Sequence, residues 1–286
     1  MVPRAIQTLA TVADARAFVA AERAAGRRIA LVPTMGALHE GHLELVRVAR
    51  EHADTVVASV FVNPMQFGPH EDLDRYPRSP EADTQQLIVL GAEAVFMPEP
   101  DEMYPHGRSS TVVTAGHLGT VLEGRSRPGH FDGVLTVVTK LLSIVQPEVA
   151  VFGEKDAQQL FLVRRMVDDL NLPVEVVGVP TVREPDGLAL SSRNALLRGG
   201  ERQDALVLSR ALEAAGAASD RGVEAMLAAA QSVFQADSGA QLDYLAVVDP
   251  ATFTPASADH RGRVQVLVAA RVGTVRLIDN LITTVP

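Results

Sequence analysis

The stretch of residues 31–42, Leu-Val-Pro-Thr-Met-Gly-Ala-Leu-His-Glu-Gly-His, constrains the fold of this chain more than any other segment. The apolar run at residues 28–32 predicts a short strand, and apolar residues at helical spacing after the stretch predict a helix to about His52. Two glycines between these segments predict a tight turn. His39 and His42 therefore lie where a parallel strand passes into a helix, which is where open α/β sheets bind their ligands.

The chemistry of this position favours a phosphate group. A helix N-terminus has backbone N–H groups without intrahelical partners and a partial positive charge, so it attracts anions. His39 and His42 place two imidazoles beside such an anion, and Gly41 leaves room for a nucleotide against the backbone. The two histidines could instead form a metal pair, although the His-Glu-x-x-His spacing of metalloproteases is not present.

The composition argues against several classes of protein. The 286 residues have a formal net charge of −9, which disfavours non-specific binding to nucleic acid or to a membrane surface. The lack of cysteine excludes disulfides, thiolate metal sites and a cysteine nucleophile. The first ten residues do not resemble a signal peptide and no apolar run reaches membrane-spanning length, so we expect a soluble, cytoplasmic protein.

Alternating strands and helices define the first part of the chain. Residues 55–62 form a nearly continuous apolar, β-branched run, which is typical of a strand buried on both faces of a parallel sheet. Residues 94–97, 149–152 and 174–179 predict further strands, with helical patterns between them. We therefore predict an α/β domain with a Rossmann-like parallel sheet and helices on both faces.

The pattern changes near residue 181. Two Ala-rich helical segments are followed by three runs of alternating polarity, at residues 242–248, 264–270 and 275–278, which predict an antiparallel sheet. We expect a catalytic, nucleotide-binding domain over residues 1–180. A smaller C-terminal α+β domain over residues 181–286 would cover the active site.

Polar clusters follow several of the predicted strands and loops. No Gly-x-Gly-x-x-Gly follows a strand and no P-loop sequence is present, which disfavours a dinucleotide oxidoreductase and a P-loop enzyme. Taken singly, these residues are ordinary caps, loop amides or solvated charges; together they supply cations and hydroxyls for a polyphosphate, a carboxylate for a ribose and amides for a small polar substrate. The clusters are His39 and His42; Asn63 and Gln66; Lys155, Asp156 and Gln159; and Ser191, Ser192 and Arg193.

Seven segments in these regions carry a resemblance to a known family. The chain resembles the pantoate–β-alanine ligases, or pantothenate synthetases, of the His-x-Gly-His nucleotidyltransferase superfamily. Where synthetase relatives have Lys-Met-Ser-Lys-Ser, this family has Ser-Ser-Arg. The segments are Pro33-Thr-Met-Gly-Ala-Leu-His-Glu-Gly-His42, Phe61-Val-Asn-Pro-Met-Gln-Phe67, Tyr76-Pro-Arg78, Arg127-Pro-Gly-His-Phe131, Phe152-Gly-Glu-Lys-Asp156 with Gln158-Gln159, Leu188-Ala-Leu-Ser-Ser-Arg-Asn194 and Arg276-Leu-Ile-Asp-Asn280.

The resemblance implies an ATP-dependent condensation of pantoate with β-alanine through a pantoyl-adenylate, with release of AMP and pyrophosphate. It implies catalytic roles for His39, His42, Lys155, Ser191, Ser192 and Arg193. It further implies an ATP site formed by Met35, Gly36, Ala37, Leu38, His39, His42, Gly153, Glu154, Lys155, Asp156, Val182, Leu190, Ser191, Ser192 and Arg193. Two loop-like segments, residues 98–105 and 181–190, are candidate covers that would shield the adenylate from water.

The resemblance also implies the remaining partners. Magnesium would accompany ATP, held mainly by phosphate oxygens, with Asp83 assisting. The family implies a homodimer. One departure is Ala157, where some relatives have an aromatic residue. Substrate contacts would come from Gln66, Gln159, Asn63, His130 and Arg127, the last two on the triphosphate side or in the adjacent wall.

Other functions remain open at the level of sequence. An adenylyltransferase of the same superfamily would stop at a nucleotidyl product. Gln66 and Gln159 favour a small hydroxy acid over the substrates of such an enzyme, but only weakly. A tRNA-binding synthetase relative is disfavoured by the acidic charge and by the lack of a basic C-terminal domain. A catalytically inactive binding protein is not indicated, because all four clusters are intact.

Overall fold

The computed structural model describes residues 5–68, 71, 73–236 and 239–286. The chain divides into two compact units. Unit 1 contains the described residues up to Glu154 together with Leu162–Pro180, and unit 2 contains Lys155–Phe161 together with the described part of Thr181–Pro286. The second unit thus takes a short segment from the middle of the chain. Among the described residues, no helix has the length and apolar character needed to cross a membrane.

Unit 1 is built on a parallel sheet of six strands in the order β1-β4-β3-β2-β5-β6. The order reverses between β2 and β5, and the carboxyl ends of strands at such a point form the ligand crevice of open α/β sheets. The predicted parallel sheet is confirmed, and the crevice lies directly after β2. The strands are β1 Gln7–Leu9, β2 Ile29–Thr34, β3 Thr55–Val60, β4 Ala94–Phe96, β5 Val149–Gly153 and β6 Glu175–Val179.

Helices cover both faces of this sheet. Ala30 and Val32 pack on one face in a cluster with Leu45 and Val46, while the alternating residue Leu31 is equally buried on the other face. Among the described residues, seven α-helices belong wholly or partly to this unit: α1 Val12–Ala24, α2 Glu40–His52, α3 Pro80–Leu90, α4 Pro100–Met103, α5 Glu123–Ser126, α6 His130–Val145 and α7 Ala157–Asp169, which starts in unit 2.

Two short elements of unit 1 differ from the sequence prediction. Strand β1 was not predicted, because three residues are too few to show a periodicity. Residues 98–105, predicted as a loop, contain the short helix α4, which begins with Pro100 and has Asp101 and Glu102 in its first turn. A proline at the first helical position and acidic residues beside the N-terminus both favour a helix start.

Unit 2 packs helices against an antiparallel sheet with the order β7-β8-β9, which confirms the predicted C-terminal architecture. Inward-facing Val266, Val268 and Ala270 form its core with the helices. The last strand is longer than predicted, because Asp279 and Asn280 interrupt its apolar pattern. The elements are α8 Glu201–Ala205, α9 Val207–Ala217, α10 Val223–Ala236, β7 Ala240–Val248, β8 Gly262–Val272 and β9 Val275–Val285.

Candidate active site

A strained turn connects β2 to α2. Gly36 and Ala37 both have left-handed backbone conformations, with φ of 82° and 50°. The Asp83 carboxylate of α3 accepts backbone hydrogen bonds from Ala37 N at 2.9 Å and Leu38 N at 2.8 Å, and the Ser79 hydroxyl donates to it at 3.1 Å. Since left-handed non-glycine residues persist only where their surroundings hold them, Asp83 stabilises this turn.

The position of Asp83 bears on the predicted magnesium contact. Its side chain is 1% exposed, and both of its oxygens accept backbone N–H groups. A Cβ atom at Gly36 would lie 2.9 Å from the carboxylate, so the turn and the acid are closely packed. Within the described residues, no three His, Cys, Asp or Glu side chains form a group that could hold a metal ion. This geometry argues against Asp83 as a metal ligand and assigns it to holding the turn.

The two histidines stand at the start of α2. His39 is the N-cap residue, and its backbone N–H lies 3.4 Å from Nδ1 of His42. The two rings are 4.1 Å apart between centroids, with a tilt of 32°. Because Nδ1 of His42 accepts this N–H, the proton of the neutral ring is on Nε2. His42 can therefore donate a hydrogen bond from Nε2 without first becoming an imidazolium.

Asn63 is the centre of a buried hydrogen-bond network at the end of β3. Its Oδ1 accepts from the Tyr104 hydroxyl at 2.7 Å and from Met65 N at 3.3 Å. Its Nδ2 donates to Gly133 O and to Gln66 Oε1, both at 3.1 Å. The side chain is 1% exposed, so these bonds determine which way the amide points. The sequence did not indicate Tyr104, which looked like an ordinary loop residue.

The hydrogen bond from Asn63 determines the orientation of the Gln66 side-chain amide. Because Oε1 of Gln66 accepts from Asn63, its amino group is directed elsewhere and donates to Sδ of Met35 at 3.1 Å. A thioether sulfur is a weak acceptor. A substrate oxygen would replace it with a stronger bond, so Gln66 is arranged to donate to a carboxylate or hydroxyl oxygen.

Arg127 and His130 support the other side of Gln66. The carboxylate of Glu71 pairs with the Arg127 guanidinium at 2.6 Å, and Arg127 Nη1 lies 3.0 Å from His130 Nε2. Since a guanidinium only donates, Nε2 of His130 accepts, and its Nδ1–H donates to the Gln66 carbonyl at 2.9 Å. Burial acts to raise the pKa of Glu71, but the hydrogen bonds and the charge of Arg127, together with His130 and the Gly68 backbone, outweigh it and hold the pKa below its usual value.

This network bears on the two roles expected of Arg127, on the triphosphate side or in the adjacent wall. Its charge is paired with Glu71, a residue that the sequence did not indicate, so it is poorly placed to provide charge for a triphosphate. The geometry instead places Arg127 and His130 in the wall that holds the Gln66 backbone. Substrate contact by either residue remains a prediction.

Unit 2 holds the second group of predicted residues. Asp156 is exposed at the start of α7, where its carbonyl accepts from Leu160 N at 2.9 Å. Leu190 N donates to Val182 O at 3.0 Å, and the Ser191 hydroxyl accepts from Arg193 N at 3.2 Å. These bonds bring together two segments of the predicted ATP site, around residues 182 and 190–193.

The predicted site residues therefore fall into two groups, one in each unit. The first contains Met35, Gly36, Ala37, Leu38, His39, His42, Asn63, Gln66, Asp83, Arg127, His130, Gly153 and Glu154. The second contains Lys155, Asp156, Gln159, Val182, Leu190, Ser191, Ser192 and Arg193. Gly153 and Glu154 lie at the carboxyl end of β5, the strand next to β2, where the Glu154 N–H donates to Val179 O at 2.8 Å.

Comparison with known proteins gives consistent results over nearly the whole chain. A pantothenate synthetase from Leifsonia xyli subsp. xyli (strain CTCB07) is 58% identical over 266 residues, which cover 93% of this chain and 92% of that protein. The structure of pantothenate synthetase from Thermus thermophilus is 50% identical, with a TM-score of 0.91 and coverage of 96% of this chain and 99% of that chain.

A third relative was solved with ligands. Pantoate-beta-alanine ligase from Francisella tularensis, complexed with beta-gamma ATP and beta-alanine, is 33% identical, with a TM-score of 0.80 and coverage of 97% of both chains. The sequence pattern of the family described as Pantoate-beta-alanine ligase matches residues 7–282. This chain therefore belongs to the pantoate-beta-alanine ligase family.

Proposed function

We propose that this protein condenses pantoate with β-alanine to form pantothenate, at the expense of ATP. Family membership over residues 7–282 supports the reaction. The name of the Francisella tularensis relative, solved with an ATP compound and beta-alanine, supports two of the substrates. The observation that carries the proposal is the pair formed by the His39–His42 helix start and the donating amide of Gln66, both in unit 1.

The reaction proceeds in two steps. First, a pantoate carboxylate oxygen attacks the α-phosphorus of ATP, the bond to pyrophosphate breaks, and pantoyl-adenylate forms. Then the β-alanine amine attacks the acyl carbon, AMP leaves with the electron pair of the broken C–O bond, and the nitrogen loses a proton. No covalent nucleophile from the protein is required, so the side chains must position the reactants and stabilise charge.

Residues of unit 1 are suited to the acid and the phosphates. The amino group of Gln66 donates to a pantoate oxygen in place of Met35 sulfur. The start of α2 offers backbone N–H groups, and His42 offers Nε2–H, to phosphate oxygens. Lys155 of unit 2 is a compact cation for the departing pyrophosphate.

Magnesium and a dimer belong to the same proposal. Because both Asp83 oxygens are engaged with the backbone, the magnesium ion would be bound by the ATP phosphates and water, and it would neutralise part of the triphosphate charge. The homodimer rests on the family resemblance alone.

Product analysis tests the function. With ATP, pantoate and β-alanine, we expect AMP, pyrophosphate and pantothenate, and exchange of labelled pyrophosphate into ATP should require pantoate but not β-alanine. ADP as the product would indicate an acyl-phosphate route instead. A nucleotidyl product that accumulates without pantothenate would indicate an adenylyltransferase.

Two histidines on one helix provide a matched pair of variants. His42 lies in the first turn of α2 and His52 is its last residue. His42→Ala should slow adenylate formation about 100- to 1,000-fold, the usual effect of removing one donor to developing charge. His52→Ala should leave the rate unchanged. Equal rates for the two variants would contradict the assignment of His42.

A further inference from the structure

Three polar residues are buried in the sheet of unit 2. Gln265 of β8 is 6% exposed, and its neighbours on that strand, Val264 and Val266, are fully buried. Asp279 and Asn280 of β9 are 4% and 7% exposed. Burial of polar groups is costly unless they form hydrogen bonds, so their partners reveal what they do.

The hydrogen bonds of Asn280 lead to Lys155. Gln265 Nε2 donates to Asn280 Oδ1 at 2.9 Å, which directs the Asn280 amino group the other way. That amino group donates to the backbone carbonyl of Lys155, also at 2.9 Å. The sheet of unit 2 is thus attached directly to the main chain of Lys155. This bond accords with the assignment of Lys155–Phe161 to unit 2, although β5 immediately before it belongs to unit 1.

The same strand also holds the segment around Val182. Arg183 forms a bidentate ion pair with Asp279, at 2.6 and 2.9 Å, and donates to the Asn280 carbonyl at 3.3 Å. Two adjacent residues of β9 therefore anchor two segments of the candidate ATP site within unit 2. The segment Arg276–Asn280 contributed to the family resemblance, but neither the sequence nor the proposed mechanism gave it a function.

We infer that Asn280 is a positioning residue for adenylate formation, acting through Lys155. By fixing the Lys155 carbonyl, it fixes the point from which the lysine side chain extends toward the departing pyrophosphate. A flexible four-carbon stem delivers its ammonium accurately only if the backbone beneath it is held. A displacement of about 1 Å at such a group can cost roughly 100-fold in rate. This inference rests on the proposed function.

The test compares both half-reactions in single-turnover experiments. The proteins are the wild type, Asn280→Ala, Lys155→Ala and the double variant. Asn280→Ala should slow adenylate formation from ATP and pantoate by about 10- to 100-fold, while the conversion of supplied pantoyl-adenylate with β-alanine changes less than about threefold, since no pyrophosphate leaves in that step. The double variant should be no slower than Lys155→Ala, because a residue that acts through Lys155 has nothing to position once the ammonium is gone.

Two further variants separate positioning from general stability. Gln265→Met leaves Asn280 in place but removes the donor that orients it, so it should slow the same half-reaction by a smaller factor. Ser209→Ala removes a buried hydroxyl of unit 2 that donates only to a carbonyl of its own helix region, Leu206 O at 3.0 Å, and should change neither step. Thermal unfolding of every variant shows what fraction of it is folded at the assay temperature, so that each rate can be expressed per folded protein.

Three results would overturn the inference. In the first, the effects of Asn280→Ala and Lys155→Ala multiply in the double variant. In the second, both half-reactions slow equally in Asn280→Ala, or in Gln265→Met if the alanine variant does not fold. In the third, Asn280→Ala reacts like the wild type. If the wild-type protein itself forms no pantoyl-adenylate, the proposed function fails instead, which keeps the two conclusions distinct.

Discussion

At the scale of single residues, Tyr104 shows how a hydroxyl outside the expected site can determine what the site presents. Its O–H donates to Asn63 Oδ1 at 2.7 Å, Asn63 donates to Gln66, and Gln66 donates outward toward Met35. Each amide has only one orientation that satisfies its neighbour. Together with Met65 N and Gly133 O, this buried hydroxyl therefore keeps the Gln66 amino group, and not its carbonyl, available for a substrate oxygen.

Removal of the Tyr104 hydroxyl should weaken the binding of pantoate but not that of ATP. In Tyr104→Phe, Asn63 Oδ1 keeps Met65 N as its only donor among the described residues, so the amide that orients Gln66 is held less firmly. We expect the KM for pantoate to rise roughly 5- to 10-fold, equivalent to about 1 kcal/mol for one hydrogen bond. The KM for ATP should not change. Steady-state kinetics with each substrate varied in turn provide the measurement.

Thr139→Val is the matched control for Tyr104→Phe. It removes a half-buried hydroxyl of unit 1 whose hydrogen bonds go to Leu135 O of the same helix and to Met166 sulfur. Both KM values should remain unchanged in this variant. If Tyr104→Phe raised the KM for ATP as much as that for pantoate, the proposed orientation of Gln66 would be incorrect.

At the scale of elements, the turn before α2 depends on a carboxylate from α3. Asp83→Asn replaces one acceptor oxygen by an amino group and leaves Ala37 N or Leu38 N without its partner, which costs about 1–3 kcal/mol of folding stability. Because the left-handed turn would then relax and shift the start of α2, the KM for ATP should rise roughly 10-fold.

Glu93→Ala separates this local effect from simple destabilisation. Glu93 also accepts a strand N–H, from Val56 at 2.7 Å, but at the amino end of β3, away from the ligand edge of the sheet. Its alanine variant leaves Val56 N without its acceptor and should lose comparable stability in chemical denaturation without a change in KM. A lower KM for ATP in Asp83→Asn, or an equal rise in both variants, would show that the turn does not depend on Asp83 in this way.

Close packing between α6 and the short segment Pro64–Gln66 provides a second prediction at this scale. A Cβ atom at Gly133 would lie 2.4 Å from the Met65 carbonyl oxygen, so only glycine allows this contact. Alanine favours helices by up to about 1 kcal/mol over glycine. Nevertheless, Gly133→Ala should destabilise the protein by about 1–3 kcal/mol through overpacking.

Denaturation in urea measures the effect of Gly133→Ala. Gly200→Ala serves as control, because a Cβ there meets no atom within 4 Å and its φ of −74° suits any residue. That variant should be as stable as the wild type. A stabilised Gly133→Ala protein would show that helix propensity outweighs the contact.

At the scale of the whole molecule, Tyr104 also links stability to alkaline pH. Burial raises its pKa to about 12, from 10.0 for an ordinary tyrosine. Since the folded state favours the neutral phenol, its stabilising contribution is complete below pH 10 and is lost as the pH rises from 10 toward about 12. With allowance for screening by nearby solvent, the loss is on the order of 2 kcal/mol.

The stability difference between the wild type and Tyr104→Phe isolates this contribution, because other ionisable groups are common to both proteins. That difference in unfolding free energy should fall between pH 9 and about 11.5 when it is measured with urea. A constant difference across this range would mean that the hydroxyl ionises as easily in the folded protein as in the unfolded chain.

The proposed homodimer is also a property of the whole molecule. Sedimentation equilibrium at the concentrations used for kinetics should give twice the chain mass of 30.5 kDa. A mass equal to that of one chain would contradict the proposal.

Local patterns in the sequence were sufficient for much of this structure. The continuous apolar run of β3 indicated a strand buried on both faces, and the alternation in β7 and β8 indicated a sheet with one covered face. His39 and His42 could be located because a strand, a glycine turn and a helix follow one another within a few residues. Burial and periodicity are properties of neighbouring residues, so a sequence records them directly.

Tertiary structure alone decided how the site is held. Asp83 accepts a hydrogen bond from a backbone N–H 46 positions away in the sequence. Glu71 pairs with Arg127 across 56 positions, and Asn280 donates to the Lys155 carbonyl across 125 positions. From the sequence, each of these residues either looked like an ordinary polar residue of a loop or strand or was predicted to have a different role. A hydrogen bond needs donor and acceptor within about 3 Å at a suitable angle, and for residues so far apart only the folding of the complete chain produces that geometry.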